Sequence, residues 1–201
     1  YLKKKNKKNI FKHIQILRVP SILRNKSNLS IFLNYCTFFV SSLFIGFFKI
    51  FTKKFDIIFI FCPSPILNAI PAIIFKKIFK KKAVLWVLDL WPDTVVDLKL
   101  VKNKFLIKIL RVFVNFIYNN SDLILAQSNS IKKEIKKYTK TKCIYFPAWP
   151  EDVIIKNKTK KIKKTKRIKI LFAGNIGEAQ SFLTLIKCAK LIKNKNLVKW
   201  I

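Results

Sequence analysis

From residue 56 onward, short runs of β-branched and aromatic residues alternate with longer segments of helical periodicity. Strands are expected at 56–62, 83–89, 122–127 and 142–146, and helices at 66–80 and 104–118. A third helix follows Ser128 or Ser130, either of which could cap it. Pro71 predicts a kink in the helix at 66–80. Apolar strands separated by helices indicate a parallel sheet covered on both faces, and hence an α/β fold.

A basic stretch divides this region from a second one of the same kind. Eight of the twelve residues in 156–167 are Lys or Arg, which predicts an exposed linker over 151–167. The pattern then restarts with a strand at 168–173, a glycine-bearing turn and a helix over about 180–193. We therefore expect one domain over 1–150 and the start of a second over 168–201, too short to close its own core. The chain begins without Met and stops within a strand pattern, so we expect a piece of a longer protein.

Before the first strand, residues 27–48 form an uncharged run of 22 residues, about 33 Å long if helical. Its small polar residues recur at spacings of 3 and 4 and so share one face of the helix: Ser27, Ser30, Asn34, Thr37 and Ser41. The pattern is compatible with a membrane span, with a helix lying in the membrane interface, and with a core helix of a soluble domain.

The charge balance, 42 Lys plus Arg against 9 Asp plus Glu, bears on the partners. Only 4 of the 42 are Arg, and the abundance of Lys, Asn, Ile and Phe is also what codons rich in A and T produce. Nucleic-acid binders concentrate Arg and aromatic residues together, whereas these lysines are spread along the chain. We therefore expect an anionic membrane surface as partner and no nucleic acid. The four widely spaced cysteines and the single His13 predict neither a zinc site nor a disulfide framework.

Two segments carry candidate chemistry at strand ends. Trp86-x-x-Asp89-Leu-Trp91-Pro-Asp93 follows the second strand, and ligands of open α/β sheets lie at the carboxyl ends of the strands. Asp89 could act as a base or orient a hydroxyl, and Trp91 could offer a plane to a sugar ring. The structural alternative is that Asp93 or Thr94 caps the next helix and Trp86 belongs to the core.

The second candidate is the turn that begins at Gly174. Backbone N–H groups at such a turn can hold phosphate oxygens, although two glycines after a strand also have a purely steric use. Ser64, between two prolines at the end of the first strand, faces the same expected cleft, with packing as its alternative role. The segment 145–151 is interpreted as a hinge between the domains.

Six segments in order carry a resemblance to a known family. They are Leu33-Asn34-Tyr35, Pro63-Ser64-Pro65, Trp86-x-x-Asp89-Leu90-Trp91-Pro92, Ala126-Gln127-Ser128, Phe146-Pro147-Ala148-Trp149 and Phe172-Ala173-Gly174-Asn175-Ile176-Gly177-Glu178-Ala179-Gln180-Ser181. From about Arg18 to the end, the chain resembles family 4 glycosyltransferases of the GT-B fold. Within that group it is similar to the N-acetylfucosaminyltransferases of bacterial surface-polysaccharide clusters.

The resemblance implies an α/β protein of GT-B type, with a Rossmann-like acceptor domain that is incomplete at its start and the first βα unit of a second such domain. It implies no metal and no cofactor besides a nucleotide-diphosphate sugar as donor substrate. Asp89, at the carboxyl end of the second strand, is the expected catalytic residue. The expected acceptor-side contacts are Trp91, Asp93, Ser64 and Ser128. The expected donor contacts are Gly174, Asn175, Gly177, Glu178 and Gln180. The Glu-x7-Glu donor segment of the family has no counterpart here.

These observations predict a fragment of a glycosyltransferase that acts on a lipid-linked or glycan acceptor in cell-surface polysaccharide synthesis. We expect it at the cytoplasmic face of the bacterial cytoplasmic membrane, as a peripheral or monotopic protein, and we expect the fragment alone to be inactive. Two alternatives stay open: a membrane-anchored binding or scaffold protein without chemistry, and a nucleotide-sugar 2-epimerase of the same fold.

Overall fold

A computed structural model describes residues 10–11, 14–25, 27–51, 55–99, 101–149, 168–174, 176, 180–192 and 197–201. The chain divides into two compact units: residues up to Thr94 together with Asn103–Pro147, and Val95–Lys102 together with Ala148–Ile201. The expected linker over 151–167 lies outside the described residues.

The elements of the first part of the chain run from a short hairpin to a fourth parallel strand. In chain order they are β1 (Ile10–Phe11), β2 (Ile14–Gln15), α1 (Asn28–Phe51), β3 (Ile57–Cys62), a 3₁₀ turn (Ile66–Ala69), α2 (Ile70–Phe79), β4 (Lys82–Val87), α3 (Asp93–Asp97), α4 (Lys104–Asn119), β5 (Leu123–Ala126), α5 (Asn129–Ile135) and β6 (Cys143–Tyr145). Neither the hairpin nor the five-residue α3 is signalled by the hydrophobic pattern.

Strands β3 to β6 form one parallel sheet in the order β3-β4-β5-β6, as the alternating pattern predicts. One face of this sheet is the core of the unit. Ile60 pairs with Leu85, Leu85 with Ile124 and Ile124 with Cys143, and all four side chains are buried. This parallel α/β arrangement is compatible with a Rossmann-like fold.

The prediction that helices cover both faces of the sheet is wrong over the described residues at β3. Ile57, Phe59 and Phe61 point to the other face and are 53 to 59% exposed. The reason is topological. Strands that follow one another in chain order, joined by right-handed crossovers, place every connecting helix on the same side.

Pro71 begins a helix instead of bending one. The segment expected as a single kinked helix is a 3₁₀ turn followed by α2, and Pro71 lies in the first turn of α2, where its missing N–H costs no hydrogen bond. α4 begins at Asn103, whose side-chain oxygen accepts from the N–H groups of Phe105 and Leu106. Local signals therefore mark both helix starts, a proline in the first turn of α2 and a capping side chain before α4.

The polar stripe of α1 faces protein. The Ile22 N–H donates to Thr37 Oγ1 at 3.1 Å, and the Arg24 guanidinium lies 4.6 Å from the centre of the Tyr35 ring. The stretch Leu29–Lys49 is long and apolar enough to cross a membrane, with a mean hydropathy of 1.8, and 6% of it is buried. One face of α1 is thus bonded to the preceding segment, while several apolar residues elsewhere on the helix are exposed.

The second unit contains β7 (Ile168–Ile170), α6 (Phe182–Leu191) and β8 (Val198–Trp200), with β7 and β8 paired in parallel. This order matches the predicted strand, helix and beginning strand. None of the described residues of α6 is buried, and the three elements form a single βα layer.

Candidate functional site

The carboxyl ends of β3, β4 and β5 bring the sequence-predicted acceptor residues of the first unit to one edge of the sheet. Ser64 follows β3, Asp89 and Trp91 follow β4, and Ser128 follows β5. Because parallel strands end at the same edge, residues separated by up to 64 positions in the chain meet there. The peptide bonds before Pro65 and Pro92 are both cis.

Trp91 connects two of these strand ends. Its indole N–H donates to Ser64 Oγ at 3.2 Å, and the whole residue is 9% exposed. Ser64 itself is exposed. The pair fixes the loop after β3 against the loop after β4, and stacking of Trp91 on a sugar ring stays a prediction.

Asp93 and Ser128 have hydrogen-bond partners within the protein. The Tyr138 hydroxyl donates to Asp93 Oδ2 at 3.3 Å, and the Ile131 N–H donates to Ser128 Oγ at 3.1 Å. Ser128 is the N-cap of α5, which confirms one of the two capping residues that the sequence allows. Contacts of Asp93 and Ser128 with a substrate stay predictions.

Gln127 positions the loop that carries Asp89. Its side-chain Nε2 donates to the Leu88 carbonyl at 2.9 Å, which ties the end of β5 to the end of β4. Gln127 belongs to one of the six segments that carry the family resemblance, but the sequence alone assigned it no role. The available signal was a polar residue directly after a buried apolar strand, where an amide has neighbouring loop carbonyls to bond.

Asp89 differs from the other carboxylates of this edge. Among the residues that the structure describes, its carboxylate forms no hydrogen bond and no ion pair. Partial burial raises the pKa of Asp89 above its ordinary value. Burial, and then the Asp89 charge, raise the pKa of the neighbouring Cys62 thiol to about 12, so Cys62 is uncharged at neutral pH. The arrangement leaves one proton-accepting group open at the sheet edge.

On the donor side, Gly174 and Gln180 are exposed, whereas Asn175, Gly177 and Glu178 lie outside the described residues. A Cβ added to Gly174 would meet the Phe172 ring at 3.7 Å, an ordinary contact, so the space around Gly174 does not require glycine. The unit also has an open apolar cavity of about 640 Å³ against α6, lined by Phe172, Phe182 and Trp200 among others.

Within the described ranges, no three His, Cys, Asp or Glu side chains come together as metal ligands. The four cysteines are free, with Cys62 and Cys143 buried. No protein family, curated protein or solved structure matches the chain. The indications of function are therefore the residues at the sheet edge and the resemblance carried by the six segments.

Proposed function

We propose that the chain is the acceptor side, with the beginning of the donor side, of a GT-B-type glycosyltransferase that uses a nucleotide-diphosphate sugar. The observation that carries this proposal is Asp89. It is a half-buried carboxylate at the carboxyl end of a parallel strand, with a raised pKa and no partner among the described residues. A group with these properties suits general-base catalysis.

In the proposed reaction, Asp89 accepts the proton of an acceptor hydroxyl as that oxygen bonds to the anomeric carbon of the donor sugar, while the bond from that carbon to the diphosphate breaks and the nucleoside diphosphate leaves. A carboxylate can accept the proton only while it is ionised, and its raised pKa makes it a stronger base than an ordinary aspartate. The contacts from Trp91 to Ser64 and from Gln127 to Leu88 hold the loop backbone on either side of Asp89, which limits how far this residue can move. The acceptor hydroxyl would thus meet a base on a well-held loop.

The donor half of the proposal rests on the turn beginning at Gly174, with Asn175, Gly177, Glu178 and Gln180 as further contacts. Backbone N–H groups of this turn would bind the diphosphate of the donor. We further propose a lipid-linked or glycan acceptor and a location at the cytoplasmic face of the bacterial membrane. The exposed apolar helix α1 and the excess of lysine support that location.

The test uses the full-length protein that contains this chain, a panel of nucleotide-diphosphate sugars and a lipid-linked saccharide as acceptor. Asp89→Asn should lower kcat about a hundredfold or more, because it removes the base, while the donor Kd stays within about twofold. Asp56→Asn is the matched control, since Asp56 is exposed and precedes β3 at the opposite edge of the sheet. That variant should keep the wild-type kcat.

Sugar transfer by Asp89→Asn at the wild-type rate would remove Asp89 from catalysis. Donor binding without turnover of any sugar would favour the scaffold function, and interconversion of donor epimers without acceptor would favour the epimerase. Either of these outcomes would contradict the transferase proposal.

A further inference from the structure

The N-terminal part of the polar face of α1 bonds to the preceding segment of the chain. The Asn25 N–H donates to Ser30 Oγ at 2.9 Å, and Arg24 Nε donates to Asn34 Oδ1 at 2.8 Å. Ser30 Oγ in turn donates to the Leu23 carbonyl. These polar side chains already have partners, so they do not require water on that face.

A second face of α1 is fixed to the rest of the first unit. The rings of Phe47 and Phe51 lie 5.7 Å apart, and each has its centre 6.2 Å from that of Phe79 in α2. The ring of Phe55 lies 5.6 Å from Phe79 on the same cluster. Aromatic contacts of this kind hold α1 against α2.

Other apolar side chains of α1 are exposed at both ends and in the middle of the helix. Those outside the contacts with Phe79 are 39 to 68% exposed and form the exposed face of α1: Leu29, Phe32, Leu33, Val40, Phe44 and Phe48. A phenylalanine side chain presents roughly 200 Å² when fully exposed, so the six together expose several hundred Å² of apolar surface. An exposed apolar area of that size on one helix marks an interaction surface.

Positive charge lies at the C-terminal ends of α1 and α2. Lys49 is exposed in the last turn of α1, and Lys80 and Lys81 directly follow Phe79 at the end of α2. Lys81 Nζ lies 5.8 Å from the centre of the Phe55 ring. Neither α1 nor α2 contains an acidic residue. The surface therefore combines aromatic side chains with ammonium groups, as interfacial membrane helices do.

Charge decides between the possible occupants of this face. A second copy of the chain would bring the same lysines towards one another, and a chain with net charge +33 opposes such pairing. An anionic lipid surface attracts those lysines and accepts the phenylalanines into its acyl boundary. The occupant that fits both properties is a bilayer containing anionic lipid.

We propose that the exposed face of α1 docks the protein on an anionic bilayer, with the helix lying in the plane of the interface. A membrane-crossing α1 would have to give up the contacts of Ser30 and Asn34 with the preceding segment and those of Phe47 and Phe51 with α2. Docking in the plane keeps all of them. This docking rests on the membrane location proposed above but not on the transferase activity, so loss of vesicle binding and loss of sugar transfer can be told apart.

The test measures binding of the protein to vesicles of phosphatidylglycerol with phosphatidylcholine, and to vesicles of phosphatidylcholine alone. The double variant Phe44→Glu with Phe48→Glu should weaken binding to the anionic vesicles about tenfold or more. Phe105→Glu is the matched control, because Phe105 is equally exposed but belongs to α4. It should bind like the wild type, and circular dichroism should be the same for all three proteins.

Lysine variants sharpen the test. Lys80→Gln with Lys81→Gln should weaken binding to the anionic vesicles by about tenfold, and this loss should vanish in high salt, where wild-type binding is itself reduced. Equal losses for Phe105→Glu and the double variant would overturn the assignment to α1. Retention that resists both salt and alkaline carbonate would establish a membrane span and overturn in-plane docking. Self-association without vesicles that the double variant abolishes would assign the face to a second copy.

Discussion

The sheet β3 to β6 and the β7-α6-β8 segment arise from the same sequence pattern but differ in burial. α4, which crosses from β4 to β5, buries Leu110, Val114, Ile117 and Tyr118, whereas α6 buries none of its described residues. A crossover helix needs several neighbouring strands before its apolar stripe is enclosed. Periodicity therefore predicts which element forms, while the number of neighbours decides how much that element contributes to stability.

The two regions should differ most in the free energy of unfolding that is lost when an isoleucine side chain is shortened to alanine. Ile117 in α4 is fully buried, and Ile117→Ala should lower the free energy of unfolding by about 2 to 5 kcal/mol. Ile186 in α6 is 42% exposed, and Ile186→Ala should cost less than about 1 kcal/mol. Denaturant unfolding of the two variants measures both values.

Similar losses for Ile117→Ala and Ile186→Ala would mean that α6 is as well enclosed as α4. The contrast between the two regions would then be wrong. Hydrogen exchange gives a second measurement, because amides of β4 and β5 should exchange more slowly than those of β7.

A polar tether adds to the stability of the first region. Asp122 accepts from the Ala83 N–H at 2.7 Å and pairs with Lys76 Nζ at 2.9 Å, which links β5 to β4 and α2. Desolvation raises the pKa of Asp122, but the Ala83 hydrogen bond and the Lys76 charge outweigh it, so the pKa is lowered. Asp122→Asn should cost about 1 kcal/mol, since solvent screens the partly exposed pair.

The pH dependence of the Asp122 contribution to stability follows from the direction in which its pKa is shifted. A lowered pKa means that the contribution of Asp122 is present above the unfolded value near 3.8 and is lost as the pH falls through the folded value. Unfolding measured between pH 7 and pH 3 should show the stability difference between wild type and Asp122→Asn shrinking. A difference that grows on acidification would show that Asp122 does not act through its charge.

Asp89 should have the smallest effect on stability, and with the opposite sign. Its pKa is raised by burial, so protonation favours the folded state below the unfolded value near 3.8, and that contribution is lost as the pH rises through the folded value. At neutral pH, Asp89→Asn should therefore unfold at the same denaturant concentration as the wild type, or slightly higher. A clear loss of stability would reveal a structural partner and would weaken its catalytic assignment.

Much of the architecture could be predicted because its signals are local. The apolar runs at β3 to β6, the periodicity of α4 and the capping residue Ser128 each act within a few residues. The end of the first helix pattern at the lysines after Phe79 is equally local. The start of α2 was missed because Pro71 is as compatible with the first turn of a helix as with a kink.

The sequence by itself determined the type and order of the elements, the parallel sheet and the residues at the carboxyl ends of its strands, because periodicity and topology rules require no knowledge of distant contacts. Only the tertiary structure decided which of those residues have partners. Trp91 bonds Ser64, and Asp93 bonds Tyr138, across 27 and 45 positions of the chain, while Asp89 is left open. It also decided that one face of β3 stays exposed and that the polar face of α1 bonds its own preceding segment. Such pairings depend on crossovers and on the packing of distant segments, which no local pattern records.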